Sequence, residues 1–191
     1  MRPQLIGIAG KARSGKDTAA DLILAEVGGY RYSLADPIRR MLKAGLNIDM
    51  QDPYWQENKE KPIPAFGDKS PRQMMQWLGT EWGRVLVSDG LWIVLAMQEF
   101  LNRGPGMIVP DVRYENEARW VRQHGLLIHI TRPGVSPVNS HISENGVSYE
   151  VCDRTIFNDG SLEDLLTRVR EILREHKAGE PVHLGGAQVP S

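Results

Sequence analysis

The sequence predicts an α/β fold: a mostly parallel sheet covered by helices on both faces. Short apolar runs alternate with segments of helical period along the whole chain, the order that parallel strands with helical crossovers produce. The first run ends in glycine and opens directly into a helix. At 191 residues, the chain has the size of one medium domain, with enough buried surface to need no disulfide or structural metal.

The elements follow in order. Gln4–Gly10 is a short apolar run, and Lys16–Val27 carries apolar residues at helical spacing until Gly28 and Gly29 stop it. Residues 30–35, "YRYSLA", form a second strand feeding an amphipathic helix from Pro37 to Leu46, with proline in the first turn, where a missing N–H costs least. Residues 47–70 are polar, proline-rich and aperiodic, and read as a long surface loop. Ser70 and Pro71 then open a helix as N-cap and first residue, and Met74, Met75, Trp77, Leu78, Trp82, Val85 and Leu86 recur at three- and four-residue steps. That stripe is read as core in preference to a platform for stacking a base. A helix from Leu91 to Leu101, a buried strand "GMIVPDV" ending in carboxylate, a helix closed by Gly125 and the strand "LLIHITR" come next. After a polar loop over 133–150, "CDRTIFN" is the last strand and residues 159–176 the last helix. A tail over 177–191, rich in Gly and Pro, is expected to be flexible. The whole reads as a single domain over 1–176, with an insertion at about 47–102.

Composition narrows the function. Acids and bases nearly cancel to a formal net charge of −1, so no global basic field points to nucleic acid or an anionic membrane, and an anionic ligand must be held by local groups. Cys152 is the only cysteine, which excludes an internal disulfide and any zinc site built from paired cysteines and fits a reducing cytoplasm. The N-terminal apolar run is too short for a signal peptide, and nothing later in the sequence approaches a membrane span. A soluble protein is expected.

Local groups of the required kind stand at the start. Gly10, four intervening residues, Gly15 and Lys16 match the spacing of a phosphate-binding loop between a strand and a helix. Small residues let successive N–H groups converge on a phosphate, the helix directs its positive end there, and the lysine neutralises terminal phosphates. This predicts a three-layer P-loop NTPase fold, with Gly10, Lys11, Ala12, Ser14, Gly15, Lys16, Asp17 and Thr18 around a nucleotide. Lysine is usually followed by Ser or Thr, whose hydroxyl binds Mg²⁺. Here Asp17 takes that place and Thr18 follows. A carboxylate is itself a hard-cation ligand, so Asp17 and Thr18 are metal candidates. Asp17 also reads as an acid favoured by the helix dipole.

The blocks "GKARSGKDTAA", "LADPIRRML", "SPRQMMQWLGTEWGR", "DVRYENEA", "ITRPG", "SHISE" and "NDGSLEDL" occur in an order that resembles the deoxynucleoside monophosphate kinases of bacteriophages and their prophage relatives, over roughly Leu5 to Leu166. "GKDT" is itself the form of the family. The resemblance implies transfer of the ATP γ-phosphate to a deoxynucleoside monophosphate with Mg²⁺, a nucleoside monophosphate kinase-like fold with a lid, a homodimer, and the host cytoplasm for a phage-encoded protein. No nucleic acid or membrane partner is implied.

Phosphoryl transfer between nucleotides needs a donor loop, a metal, an acceptor site and mobile cations. Asp111, at the end of its strand, is placed for an outer Mg²⁺ contact or an acceptor contact, and Arg113 follows; the plain alternative is a surface pair between the two. Asp36, with Arg39 and Arg40 behind it, either faces the acceptor or caps its helix, and the two roles are compatible. Arg72, Gln76 and Thr80 share a helix face at four-residue spacing and are placed to reach the acceptor. The lid is expected over 133–150, with Arg132 at its hinge as the arginine delivered by closure. Glu144 is an acceptor candidate within it, Ser143 lies beside it, and His141 reads as a solvated residue. Asp159 or Ser161 suffices to cap the last helix, while the resemblance also sets Asn158 beside the adenine of ATP. Two other readings stay open: a kinase for another small phosphorylated acceptor such as a coenzyme precursor, and a nucleotide-binding regulatory ATPase.

Overall fold

Five consecutive buried residues form β1 (Leu5–Ala9), and in the computed structural model, which describes residues 5–134 and 147–179, this strand is the centre of the sheet. It pairs in parallel with β3 (Met107–Val112) on one side and β4 (Leu126–Thr131) on the other. Outside these lie β2 (Tyr30–Arg31) and β5 (Arg154–Phe157), also parallel, for an order of β2-β3-β1-β4-β5. Strands buried on both faces read as continuous apolar runs, which is why β1, β3 and β4 are legible in the sequence.

Alternate residues of the strands supply two cores. On one face Ile6, Ile8, Ile108, Ile128 and Ile156 pack against α1 (Lys16–Val27) and α7 (Leu162–Gly179). On the other, Leu5, Ala9, Met107 and Val109 meet α2 (Asp36–Leu46), α5 (Leu91–Arg103) and α6 (Glu115–His124). The result is three layers. The helix after β1 lies on one face and the helix after β3 on the other, so the chain diverges at the carboxyl ends of these neighbouring strands. Open α/β sheets bind ligands in that crevice.

Several sequence expectations need correction. The loop expected over 47–70 contains α3 (Pro53–Glu57), started by the Asp52 side chain accepting from Tyr54 N at 2.8 Å, and a short 3₁₀ turn at Pro64–Phe66. Polar composition hid a well-capped turn. The second strand stops after two residues, because the chain at 33–35 turns away to bind Asp111. The last strand starts at Arg154 instead of Cys152. The last helix runs on to Gly179, past the expected start of the tail; residues 180–191 lie outside those described.

The helix from Pro71 departs most. α4 (Pro71–Gln76) is closed at its start by a reciprocal capping box of Ser70 and Gln73. It then widens into a π-helical segment, Trp77–Val87, in which Ser88 N bonds Gly83 O five residues back. A Cβ on Gly83 would come within 2.2 Å of the Trp92 ring, so the bare backbone there accepts α5 at close range. The Met and Trp stripe is therefore only half core. Met74 is buried, but Trp77 and Trp82 are partly exposed, and Val85 and Leu86 are about three-quarters exposed, at 73% and 76%. A 3.6-residue period applied to a wider helix misplaces its far end.

Candidate active site

The loop after β1 is shaped by local bonds. Ser14 N donates to Lys11 O at 3.3 Å, closing a turn over Lys11, Ala12, Arg13 and Ser14. Gly15 follows at φ 99°, a conformation natural to glycine, and any Cβ there would collide with the Asn158 side chain at 2.4 Å. Asn158 is nearly buried; its amide donates to Ser14 O at 2.8 Å and its N–H to Thr131 O at 2.7 Å. Its amide thus braces the phosphate loop from just past the end of β5. Lys16 folds back over the loop, its Nζ donating to Gly10 O and Lys11 O at 2.7 Å each. Lys11 is exposed and Ala12 half-buried, while the Ser14 side chain is buried behind the loop, its Oγ without a hydrogen-bond partner among the described residues.

Asp17 and Thr18 sit exposed in the first turn of α1. The Asp17 carboxylate, 81% exposed, forms an ion pair with Arg31 of β2, which also donates to Asp21 at 2.9 Å. Arg31 attracted no attention in the sequence. Only the pairing of β2 beyond β3 brings it to α1.

Asp111 lies one residue before Val112, which is in register with Ala9, so it stands at the same end of the sheet as the phosphate loop. It accepts from Leu34 N at 2.8 Å, Ala35 N at 3.1 Å and the Ser33 hydroxyl. Those bonds pin the turn that leads to Asp36, and they replace the surface pair with Arg113 as the account of this carboxylate. Asp36 is not the cap of α2, since Ala35 holds that position. Instead Asp36 accepts from Ser33 N at 2.9 Å and pairs with Arg39 at 2.7 Å. Arg40 is exposed near the Tyr32 hydroxyl, whose pKa burial raises and Arg40 partly restores. Asp111, Asp36 and Lys16 thus belong to one end of the sheet.

The insertion contributes differently. Arg72 is engaged by Glu60, Gln76 is half-buried where α4 widens, and Thr80 shares a hydrogen bond of 3.1 Å with the Tyr114 hydroxyl. With π-helical turns after Gln76, the four-residue face expected for Arg72, Gln76 and Thr80 is not kept.

A residue that sequence reading passed over organises this side. Arg84, with 5% of its side chain exposed, pairs with Glu117, at 4%, and with Asp89 at 2.6 Å, and its guanidinium lies 3.7 Å from the Tyr114 ring centroid. The other Glu117 oxygen accepts from Arg113 N at 2.7 Å and Tyr114 N at 3.1 Å. Burial pushes the Glu117 pKa up, against Arg84 and these amides, which favour the carboxylate. A lone arginine in the apolar run "WGRVLV" was the available signal, since a charge on a buried face demands a partner.

Arg132 is exposed just past β4. Glu144, Ser143 and His141 lie outside the described residues. The chain re-emerges at 147, and its return is clamped to α6. Arg122 donates to Ser148 O at 2.6 Å, pairs with Glu150 at 2.8 Å, and grips buried Asp153 through Nε at 2.9 Å and Nη2 at 2.8 Å. Burial alone would raise the Asp153 pKa, but Arg122, the Glu150 N–H and His129 bring it down to about 2. Ser161 caps α7: its Oγ accepts from Asp164 N at 3.2 Å, and the Asp164 carboxylate accepts in return from Ser161 N at 2.7 Å.

The chain is similar to known proteins. The deoxynucleotide monophosphate kinase of Enterobacteria phage T4 is 26% identical over 238 residues, covering 90% of this chain and 99% of its own. The deoxynucleoside-5′-monophosphate kinase of Escherichia phage T5 is 24% identical, covering 81% and 89%. A gluconokinase of Sinorhizobium meliloti matches in structure with a TM-score of 0.50 at 12% identity, over 93% of this chain and 97% of its own, a likeness of fold alone. The family model described as deoxynucleotide monophosphate kinase matches residues 4–63 and 65–169. With the phosphate loop and strand-end Asp111 inside that match, the chain belongs to the deoxynucleotide monophosphate kinase family.

Proposed function

We propose that this chain transfers the terminal phosphoryl group of ATP directly to a deoxynucleoside monophosphate, giving ADP and the diphosphate. The observation that carries the reading is the junction of β1 and β3, where a phosphate loop and a turn pinned by Asp111 share the crevice at which the crossovers diverge. Gly10 to Lys16 form the donor side. The two carbonyls that hold the Lys16 ammonium yield it to the donor phosphates. Asn158 supports donor binding by bracing the loop. On the acceptor side, Asp36, Arg40, Arg72, Gln76, Asp111 and Arg113 receive the monophosphate, with Glu144 from the lid.

Mg²⁺ fits the donor site. It takes oxygen ligands, keeps several waters and uses one or two side chains together with substrate phosphates. Asp17 and Thr18 expose such oxygens in the first turn after the loop, and Asp111 belongs to the outer contacts. Held there, the ion would offset the negative charge of the donor phosphates. Arg132, exposed where the lid begins, supplies a further cation on closure. The enzyme is read as cytoplasmic and homodimeric; exposed Val85, Leu86, Val94 and Leu101 on adjoining helices support a partner surface.

The test is a panel of all deoxynucleoside and ribonucleoside monophosphates with ATP, run on the wild type and on Lys16→Ala. Rapid ADP release that depends on a deoxynucleoside monophosphate is expected. It should fall by about 10³-fold or more in Lys16→Ala with the melting temperature unchanged. A coenzyme precursor accepted in preference would favour the kinase of another acceptor, and ADP release without any acceptor would favour a regulatory ATPase.

A further inference from the structure

Among the described residues outside glycine, three have a left-handed backbone: Arg13 at φ 64°, Asn47 at 56° and Asp68 at 58°. Two have a local reason. Asn47 closes α2, a position where Asn is accepted, and Asp68 lies in the short link Gly67–Lys69, where a small polar side chain tolerates the conformation. Arg13 has no such reason. It is the third residue of the turn closed by Ser14 N on Lys11 O, and Ala12 before it keeps negative φ. That is the position of a turn at which glycine is the ordinary residue. An arginine cannot relieve the conformation by bonding its own backbone, so the cost is retained.

The side chain also differs from several of the other arginines. Arg31, Arg39, Arg72, Arg84 and Arg122 each pair with a carboxylate. Arg13 is exposed and meets no carboxylate among the described residues, although it stands at the apex of the loop, three residues before Lys16. Strain retained at a ligand clamp, together with a cation left unneutralised, points to a ligand that compensates both.

We propose that Arg13 is a catalytic residue of the phosphoryl transfer, its guanidinium engaging oxygens of the group in flight. The inference rests on the reading of residues 10–16 as the donor loop. In that step the bond from phosphorus to the oxygen bridging the β- and γ-phosphates breaks, and the electron pair leaves with ADP. A bond forms from the same phosphorus to an acceptor phosphate oxygen, which near neutral pH is already largely ionised and gives up no proton. Charge spreads over the oxygens of the phosphoryl group between them. A planar fork of donors on the donor loop meets that charge without waiting for the lid.

Arg13→Gly separates function from fold, because glycine suits the backbone while deleting the cation. Measured with ATP and each of the four common deoxynucleoside monophosphates, kcat and kcat/KM should fall together by about 10³-fold. The melting temperature should hold or rise by about 1–4 °C. Arg13→Lys should recover little, since an ammonium lacks the fork. Turnover within about twofold of wild type, a rise confined to the KM for ATP, or a lower melting temperature would each overturn the proposal. If Lys16→Ala is inactive while Arg13→Gly turns over normally, this inference alone fails; if both turn over normally, the donor-loop reading has failed with it.

Discussion

On the proposed reading, the donor and acceptor sides of the cleft are built on opposite plans. The donor loop is one contiguous stretch, Gly10 to Thr18, held by backbone hydrogen bonds and a neutral brace from Asn158. The acceptor side draws on α2, α4, the π-helical segment, the end of β3 and the start of α6, and ion pairs hold it: Arg39 with Asp36, Arg72 with Glu60, Arg84 with Glu117. The difference follows from what each must bind. A terminal polyphosphate is recognised by amides and one lysine, which a short segment can present. An acceptor nucleotide needs side chains from several directions, and those must be fixed against one another before substrate arrives.

The largest expected effect tests that dependence. Arg84→Ala leaves Glu117 buried and uncompensated and should cost about 3–5 kcal/mol in urea unfolding, whereas Arg84→Met together with Glu117→Leu should recover most of it. A loss under about 1 kcal/mol, in the range of an exposed pair, would mean that the acceptor side does not depend on its ion pairs.

Next comes the donor side's one carboxylate. Asp17→Ala should lower turnover by about 10–100-fold at low Mg²⁺, the range seen when a metal site loses an oriented group. Asp17→Ser should recover much of this as Mg²⁺ is raised. Ser and Ala variants equally inactive at saturating Mg²⁺, with ATP still bound, would assign Asp17 to the transfer step instead of the metal.

The smallest effect is in acid. Asp153 holds the segment from Ser148 to α6 with a pKa of about 2, below its ordinary 3.8. A depressed carboxylate adds its stability in full above the ordinary value and loses it as pH falls toward the folded one. About 2 kcal/mol should therefore fade between roughly pH 4 and pH 2. Urea unfolding at pH 7 and pH 2.5 should show the gap between wild type and Asp153→Asn closing in acid. A constant gap would mean that the pairing does not set stability. Amide exchange in acid should rise first at 148–150, where Arg122 lets go, and later at the backbone-held phosphate loop.

By itself the sequence determined the parallel sheet, the position of the phosphate loop and the starts of the helices at Lys16, Pro71, Leu91 and Glu115. Those are local facts: apolar runs such as Leu5–Ala9, the Gly10–Lys16 spacing, and the cap at Ser70 act within one or two turns of chain. It also carried Asp111 and Asp36 as residues of the cleft, since strand ends in such sheets face it. Tertiary structure alone decided what those carboxylates hold. Asp111 pins a turn 76 to 78 residues away in sequence, Arg31 reaches Asp17 because β2 lies beyond β3, and Arg84 meets Glu117 across 33 residues. The π-helical widening was likewise invisible, because no period in the segment announces it, and it accompanies the close approach of Trp92 of α5 to Gly83. Charges find partners by proximity in the folded chain, and sequence spacing encodes proximity only along a helix or a strand.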